Sequence, residues 1–179
     1  MSAVLISIQP KWCKKIASGR KTLELRKTVP KLPLPFKCYI YCTKDNTDHV
    51  PSRIWWKADE TGFQHILNGK VIGEFVCDAI LGHCEMANAD LAENGSCVRR
   101  EVIIQYSNGK EVYGWHISDL AIYDEPKPLS KFMKPCENDL YCESCAMHSE
   151  FSGKCGNKAL VISRPPQSWC YVEDVRANE

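Results

Sequence analysis

The chain has 179 residues, 44% of them hydrophobic and 25% charged, which suits one soluble domain large enough to bury a core. A formal net charge of +1 excludes a protein that coats nucleic acid by bulk electrostatics and confines any nucleic-acid site to a local pocket or patch. No run approaches the roughly 20 apolar residues of a spanning helix, and the opening Met-Ser-Ala-Val-Leu-Ile-Ser lacks the layout of a signal peptide. The expectation is a cytoplasmic protein with no membrane partner.

Residues 3–8 form an apolar run fit for a buried strand, and Pro10 suits the first turn of a helix. Over residues 10–18, Trp12, Cys13, Ile16 and Ala17 make an apolar stripe opposite Lys11, Lys14 and Lys15. Gly19 is placed to end that helix in a left-handed cap. A strand follows over 21–27, with Thr22, Glu24 and Arg26 on one face and Leu23 and Leu25 on the other. Prolines 30, 33 and 35 break regular structure before a mostly buried strand at Phe36–Cys42. Residues 43–69 are polar and weakly periodic. Trp55 and Trp56 there fit either a stacking platform for a base or an anchor for the loop.

A strand is expected over 70–80 and a loop or short helix over 85–97. Residues 100–106 and 110–115 read as two strands joined at Ser107-Asn108-Gly109, a hairpin signal. Residues 120–123 form a short strand stopped by Pro126 and Pro128. Residues 158–163 are expected to form a last buried strand, before a loop that presents Arg164, Gln167, Ser168 and Trp169.

The eleven cysteines are odd in number and accompany no export signal, so reduced thiols are expected, some of them on a metal. Cys136, Cys142, Cys145 and Cys155 follow the pattern C-x5-C-x2-C-x9-C in a segment with little apolar content, which needs an internal crosslink to order itself. Four thiolates in a tetrahedron suit a closed, structural zinc site, with an iron-sulfur cluster or unligated thiols as the alternatives.

The densest chemistry lies at residues 19–26, where Lys21, Glu24 and Arg26 converge between a helix and a strand. A cation, a carboxylate and a guanidinium on one segment can bind a base or a phosphate and move a proton. They also fit a solvated strand face with an ion pair.

The pattern Gly19-x-Lys21-x-x-Glu24-x-Arg26, after the strand and helix opened by Leu5-Ile6-Ser7-Ile8-Gln9-Pro10, resembles the signature of the ASCH domain family of the PUA-like superfamily. The resemblance extends to Tyr39-Ile40-Tyr41-Cys42 and Val71-Ile72-Gly73-Glu74-Phe75. Through Arg164-Pro165-Pro166-Gln167-Ser168-Trp169 it reaches the ending of prophage-type members, and it is weakest over residues 45–69 and 82–115.

It implies an α+β, mostly β fold: a small mixed PUA-like barrel with flanking helices over residues 1–179. Residues 134–157 would be a Cys-rich zinc insertion and residues 43–69 a variable loop. It also implies a cleft for RNA or a modified nucleotide, lined by Lys21, Glu24, Arg26, Arg164, Gln167, Ser168 and Trp169. Some ASCH proteins hydrolyse N4-acetylcytidine, and others are linked to RNA cleavage. The resemblance therefore also admits a hydrolase using Lys21 and Glu24, with Thr22 and Glu74 as weaker candidates. A third reading is a protein-interaction module that docks through the zinc element.

Overall fold

A seven-residue strand, β1 (Ser2–Ile8), opens the fold, and Ala3, Val4, Leu5 and Ile6 on it are wholly buried. The computed structural model describes residues 2–44, 56–58, 64–136 and 157–174. The helix α1 (Pro10–Ala17) follows, then β2 (Leu23–Arg26), β3 (Phe36–Cys42), β4 (Trp56–Ala58), β5 (Gln64–Ile66), β6 (Lys70–Cys77) and β7 (Ile80–Leu81). Two helices, α2 (Ala89–Ser96) and α3 (Arg100–Ser107), precede β8 (Tyr113–His116), β9 (Ser118–Lys127) and β10 (Trp169–Glu173).

The strands form a five-stranded sheet of order β10-β1-β3-β6-β9, a three-stranded sheet of order β2-β8-β7 and a β4-β5 hairpin. The architecture is α+β and mostly β, but the described strands do not close into the expected barrel. The two larger sheets join at a corner. Only Asp78 and Ala79 separate β6 from β7, and only Ile117 separates β8 from β9, so the antiparallel pair β6-β9 continues round the bend as β7-β8. His116 N–H donates to Ala79 O at 2.9 Å across this corner. The hydrogen bond from His116 holds the Asp78 carboxyl below its usual range. On the far side, no ladder joins β2 to β1 or β10 among the described residues, and side chains span the seam instead. Arg26 Nη2 donates to Ser7 O at 2.6 Å, and Trp169 Nε1 to Thr28 Oγ1 at 3.0 Å.

Alternation along β3 sorts two cores. Phe36, Cys38, Ile40 and Cys42 face a cluster with Ile16, Phe75 and Trp115, whereas Tyr39 and Tyr41 face one with Phe132, Ile162 and Val172. Most of the cysteines outside the C-terminal cluster pack here as small hydrophobes. Burial pushes up the thiols of Cys13 and Cys38, and takes Cys77 to about 12 and Cys84 to about 11, which keeps them protonated and unreactive.

Three expected elements are different. Residues 100–107 form a helix, not the first arm of a hairpin. Asn108 and Gly109, with φ of +47° and +73°, supply left-handed conformations, but they cap α3 rather than turn a hairpin. Ile103 and Ser107, four apart, are the buried residues of α3, a helical period that the run Val-Ile-Ile conceals. β9 runs through Pro126 to Lys127, which proline tolerates because β9 is an edge strand. Residues 158–160 form a 3-10 turn and Val161 bridges only Met133, so the last strand is β10, antiparallel to β1.

Candidate functional site

The cap of α1 brings Lys21 inward. Gly19, at φ +71°, donates its N–H to Ile16 O at 2.8 Å, and the N–H groups of Arg20 and Lys21 donate to Lys15 O at 3.0 and 3.1 Å. The chain turns sharply, and the Lys21 side chain is left 2% exposed. α2 approaches from above, with Thr22 N–H donating to Gly95 O at 2.8 Å. Glycine is needed at 95 because a Cβ there would meet Leu23 Cδ1 at 2.7 Å. That close approach places the Ser96 carbonyl on Lys21, whose Nζ donates to Ser96 O at 3.1 Å and Leu23 O at 2.7 Å.

Lys21 faces the carboxylate, not the guanidinium: its Nζ lies 3.2 Å from Glu24 Oε2. Arg26 donates through Nη1 to Glu24 Oε1 and to Leu25 O, and through Nη2 to Ser7 O. The Glu24 and Arg26 side chains are 6% and 11% exposed, so three charges with a net of +1 are buried together. The Lys21-Glu24 contact is an ion pair without hydrogen-bond alignment. Glu24 Oε2 and Arg26 Nε are both buried and find no hydrogen-bond partner among the described residues. Glu24 Oε2 is thus held by the charge of Lys21 alone.

Above this floor is a cavity of about 690 Å³, within the range of small-molecule and cofactor sites. Gln9, which precedes α1, and Lys11 and Trp12 on it contribute to the lining, and the ammonium groups of Lys11, Lys15 and Lys21 lie 4.8, 5.0 and 5.3 Å from a Trp12 ring centroid. α3 supplies Val102 and Tyr106, with Lys27 Nζ 4.8 Å from the Tyr106 ring. Burial pushes the Tyr106 phenol up, and its neighbours Arg26 and Glu24 act on it in opposite senses. Pro165, Pro166, Gln167 and Ser168 form another part of the rim, tied to β1 by Ser7 Oγ donating to Pro166 O at 2.6 Å. A smaller hollow of about 480 Å³ beside Lys31, Leu32 and Tyr171 has no carboxylate in its lining.

The crystal structure of the ASCH protein from Zymomonas mobilis superposes with a TM-score of 0.54, covering 96% of this chain and 88% of that one at 20% identity. The chain has the ASCH fold. A tyrosine-to-phenylalanine variant and a serine-to-alanine variant of the same Zymomonas mobilis protein match with TM-scores of 0.54 at 19% identity, covering 96% of this chain and 91% and 89% of theirs. No family model matches the chain, and no curated protein does.

Within this ASCH fold, Lys21, Glu24, Arg26, Gln167 and Ser168 all line one cavity. Arg164 is exposed and outside that lining. Trp169 packs instead against Trp115 and Tyr171, at centroid distances of 5.9 and 5.3 Å. Thr22 is exposed beside α2. Glu74 lies on the opposite face of the five-stranded sheet, where it pairs with Lys37 at 3.3 Å and accepts from Tyr123. Cys136 is half-buried, whereas Cys142, Cys145, Cys155 and Trp55 lie outside the described residues.

Sequence reasoning missed Trp12 and Tyr106. Trp12 stands among Lys11, Lys14 and Lys15, an interleaving of aromatic and basic residues that signals a nucleic-acid surface as well as a core stripe. Tyr106 was hidden by the reading of its helix as a strand.

Proposed function

We propose that this cleft binds RNA, or a modified nucleotide, by taking in one base. The observation that carries this reading is the cavity itself, with the carboxylate of Glu24 and the guanidinium of Arg26 in its lining beside a tryptophan ringed by lysines. A base edge carries N–H groups that a carboxylate accepts and lone pairs that a guanidinium or Gln167 meets, the base face stacks on Trp12, and Lys11 at the mouth takes the phosphate. Arg26 is spent on Glu24, Leu25 O and Ser7 O, so the phosphate role falls to Lys11 and, farther out, to Arg164. Gln167 and Ser168 are the polar groups that would fix the sugar.

The test is a titration of labelled single-stranded RNA against the parent, Trp12→Leu and Lys11→Ala. Leucine keeps an apolar body on α1 and removes the stacking face. Loss of one base stack, about 1–3 kcal/mol, corresponds to roughly 5- to 150-fold weaker binding. Lys11→Ala should weaken binding less and flatten its salt dependence. Parental affinity in both variants would exclude the cleft as the binding site.

A hydrolase working on an acylated base has less support in this geometry. Lys21 Nζ is turned to Glu24 and two carbonyls, Thr22 faces outward, and Glu74 is across the sheet.

We infer separately that Cys136, Cys142, Cys145 and Cys155 hold a structural zinc, on the chemistry of a four-thiolate donor set with one Cys-x-x-Cys turn. Elemental analysis should find about one zinc per chain. Chelation should expose these thiols to alkylation while the two-sheet body stays folded; a single cooperative unfolding on chelation would contradict a merely appended element.

A further inference from the structure

Three hydrogen bonds cross the seam between the β2 segment and the β1-β10 pair, and they fall in order along it. Arg26 Nη2 reaches Ser7 O in the cleft, Trp169 Nε1 donates to Thr28 Oγ1 next, and the N–H of Lys31 donates to Tyr171 Oη at 2.7 Å last. The register fixes that order, since Trp169 stands opposite Ile6 and Tyr171 opposite Val4. The seam therefore leads away from the cleft to the hollow of about 480 Å³, whose lining includes Ser2, Lys31 and Tyr171. Lys31 and Lys134 in that lining are exposed and form no ion pair among the described residues. Backbone bonds fix Lys134 beside β10: its N–H donates to Leu160 O at 2.8 Å, and that of Glu173 to Met133 O at 2.9 Å. Burial pushes the Cys170 thiol of the hollow up, and the Lys134 ammonium acts on it in the opposite sense. Leu32, Pro135 and the Tyr171 ring supply apolar walls, and that ring is itself held edge-on to Trp169.

We propose that this hollow is a second subsite for the RNA strand whose base enters the cleft, with Lys31 and Lys134 binding a phosphate of that strand. The proposal rests on the base-binding reading above and adds the path of the RNA. Two ammonium groups with no carboxylate in the same lining select an anion. The apolar walls give the sugar and base attached to that phosphate a surface to rest on. Ser7 in the cleft and Ser2 in the hollow lie at the two ends of β1, about 17 Å apart at the rise of a strand. A stacked single strand advances about 3.4 Å per nucleotide, so about five nucleotides join the two sites and one does not. Thr28, Val29 and Ser168 on the way are exposed and uncharged. In a chain of net charge +1, affinity for a polyanion depends on where such cations stand rather than on how many there are.

The experiment is fluorescence anisotropy with labelled oligouridylates of two and eight nucleotides, titrated over a series of salt concentrations. It compares the parent with Lys31→Ala/Lys134→Ala and with Lys110→Ala/Lys158→Ala, which removes two exposed lysines outside both linings. The parent should bind the octamer more tightly than the dimer. Lys31→Ala/Lys134→Ala should keep the parental melting temperature and dimer affinity. It should lose roughly 5-fold in octamer affinity at 0.1 M salt for each phosphate contact removed, up to about 25-fold for two, with a salt slope shallower by about 0.7 for each. Lys110→Ala/Lys158→Ala should change octamer binding far less. Equal affinity of the parent for both lengths, or an octamer advantage that survives in Lys31→Ala/Lys134→Ala, would overturn the second subsite and leave the base-binding cleft standing. So would an equal loss in the two double variants, which would make the effect one of total charge. No binding of either RNA by the parent would remove the cleft reading and this inference with it.

Discussion

Glu24→Gln is expected to destabilise the protein by about 3–5 kcal/mol, the cost of removing one partner from a buried set of charges. The substitution changes almost nothing in shape. It leaves Lys21, 2% exposed, and Arg26, 11% exposed, as two buried cations with no carboxylate between them. For a chain of this length that is a fall in melting temperature of about 6–20 °C. Lys21→Ala should cost less, about 1–3 kcal/mol. It leaves Glu24 paired with Arg26 and loses mainly the hydrogen bonds to the carbonyls of Leu23 and Ser96. The ranking is the informative part. Were these three residues a solvated strand face, both changes would fall within about 1 kcal/mol of the parent and of each other. Urea unfolding of the two variants and the parent, compared at equal m, decides between the two.

This energetic coupling bears on how the cleft should be probed. An alanine at Lys21, Glu24 or Arg26 tests folding and binding at once, whereas Lys11 and Tyr106 are exposed, and Trp12, half-buried against the core, needs an apolar replacement such as leucine to report on the ligand. The motif charges are thus the floor on which a base would rest, and they keep one another in place.

Much of the fold could be read from the sequence where local and tertiary signals agreed. β1, α1, its glycine cap and β3 have apolar periods that match their burial, and the cap alone delivers Lys21 to the interior. The reading failed where one local signal serves two structures. Asn108-Gly109 supplies positive φ for a hairpin turn or for a helix cap, and the β-branched run before it favours the former. The buried pair Ile103 and Ser107 decides for the helix, through packing that composition does not display. Barrel closure also could not be read, because the seam between β2 and β1 is crossed by Arg26 and Trp169 side chains instead of a ladder. For the site, the spacing of Lys21, Glu24 and Arg26 showed that the charges gather but not which of them meet. Tyr106 could be found only after its helix was known.

Trp115 carries the other large expected effect. It is 0% exposed at the middle of the three-stranded sheet, where its backbone pairs with Glu24 on one side and Ile80 on the other. Its ring fills the space between the two sheets, edge-on to Phe36 at 5.6 Å and tilted on Trp169 at 5.9 Å. Trp115→Ala should therefore cost about 3–5 kcal/mol in lost burial and residual cavity. Trp115→Phe should cost much less than its lost volume implies. The indole Nε1 is buried with no hydrogen-bond partner among the described residues, and removing an orphaned donor relieves about 1–3 kcal/mol of desolvation that the native protein bears. Thermal and urea unfolding of the pair give the comparison. A phenylalanine variant as unstable as the alanine one would mean that the indole's outline, and not its burial, holds the corner between the sheets. A phenylalanine variant near parental stability that also keeps RNA affinity would show that β2 is set in place by its ladder with β8 and by the charges of the floor, which the ring supports from beneath.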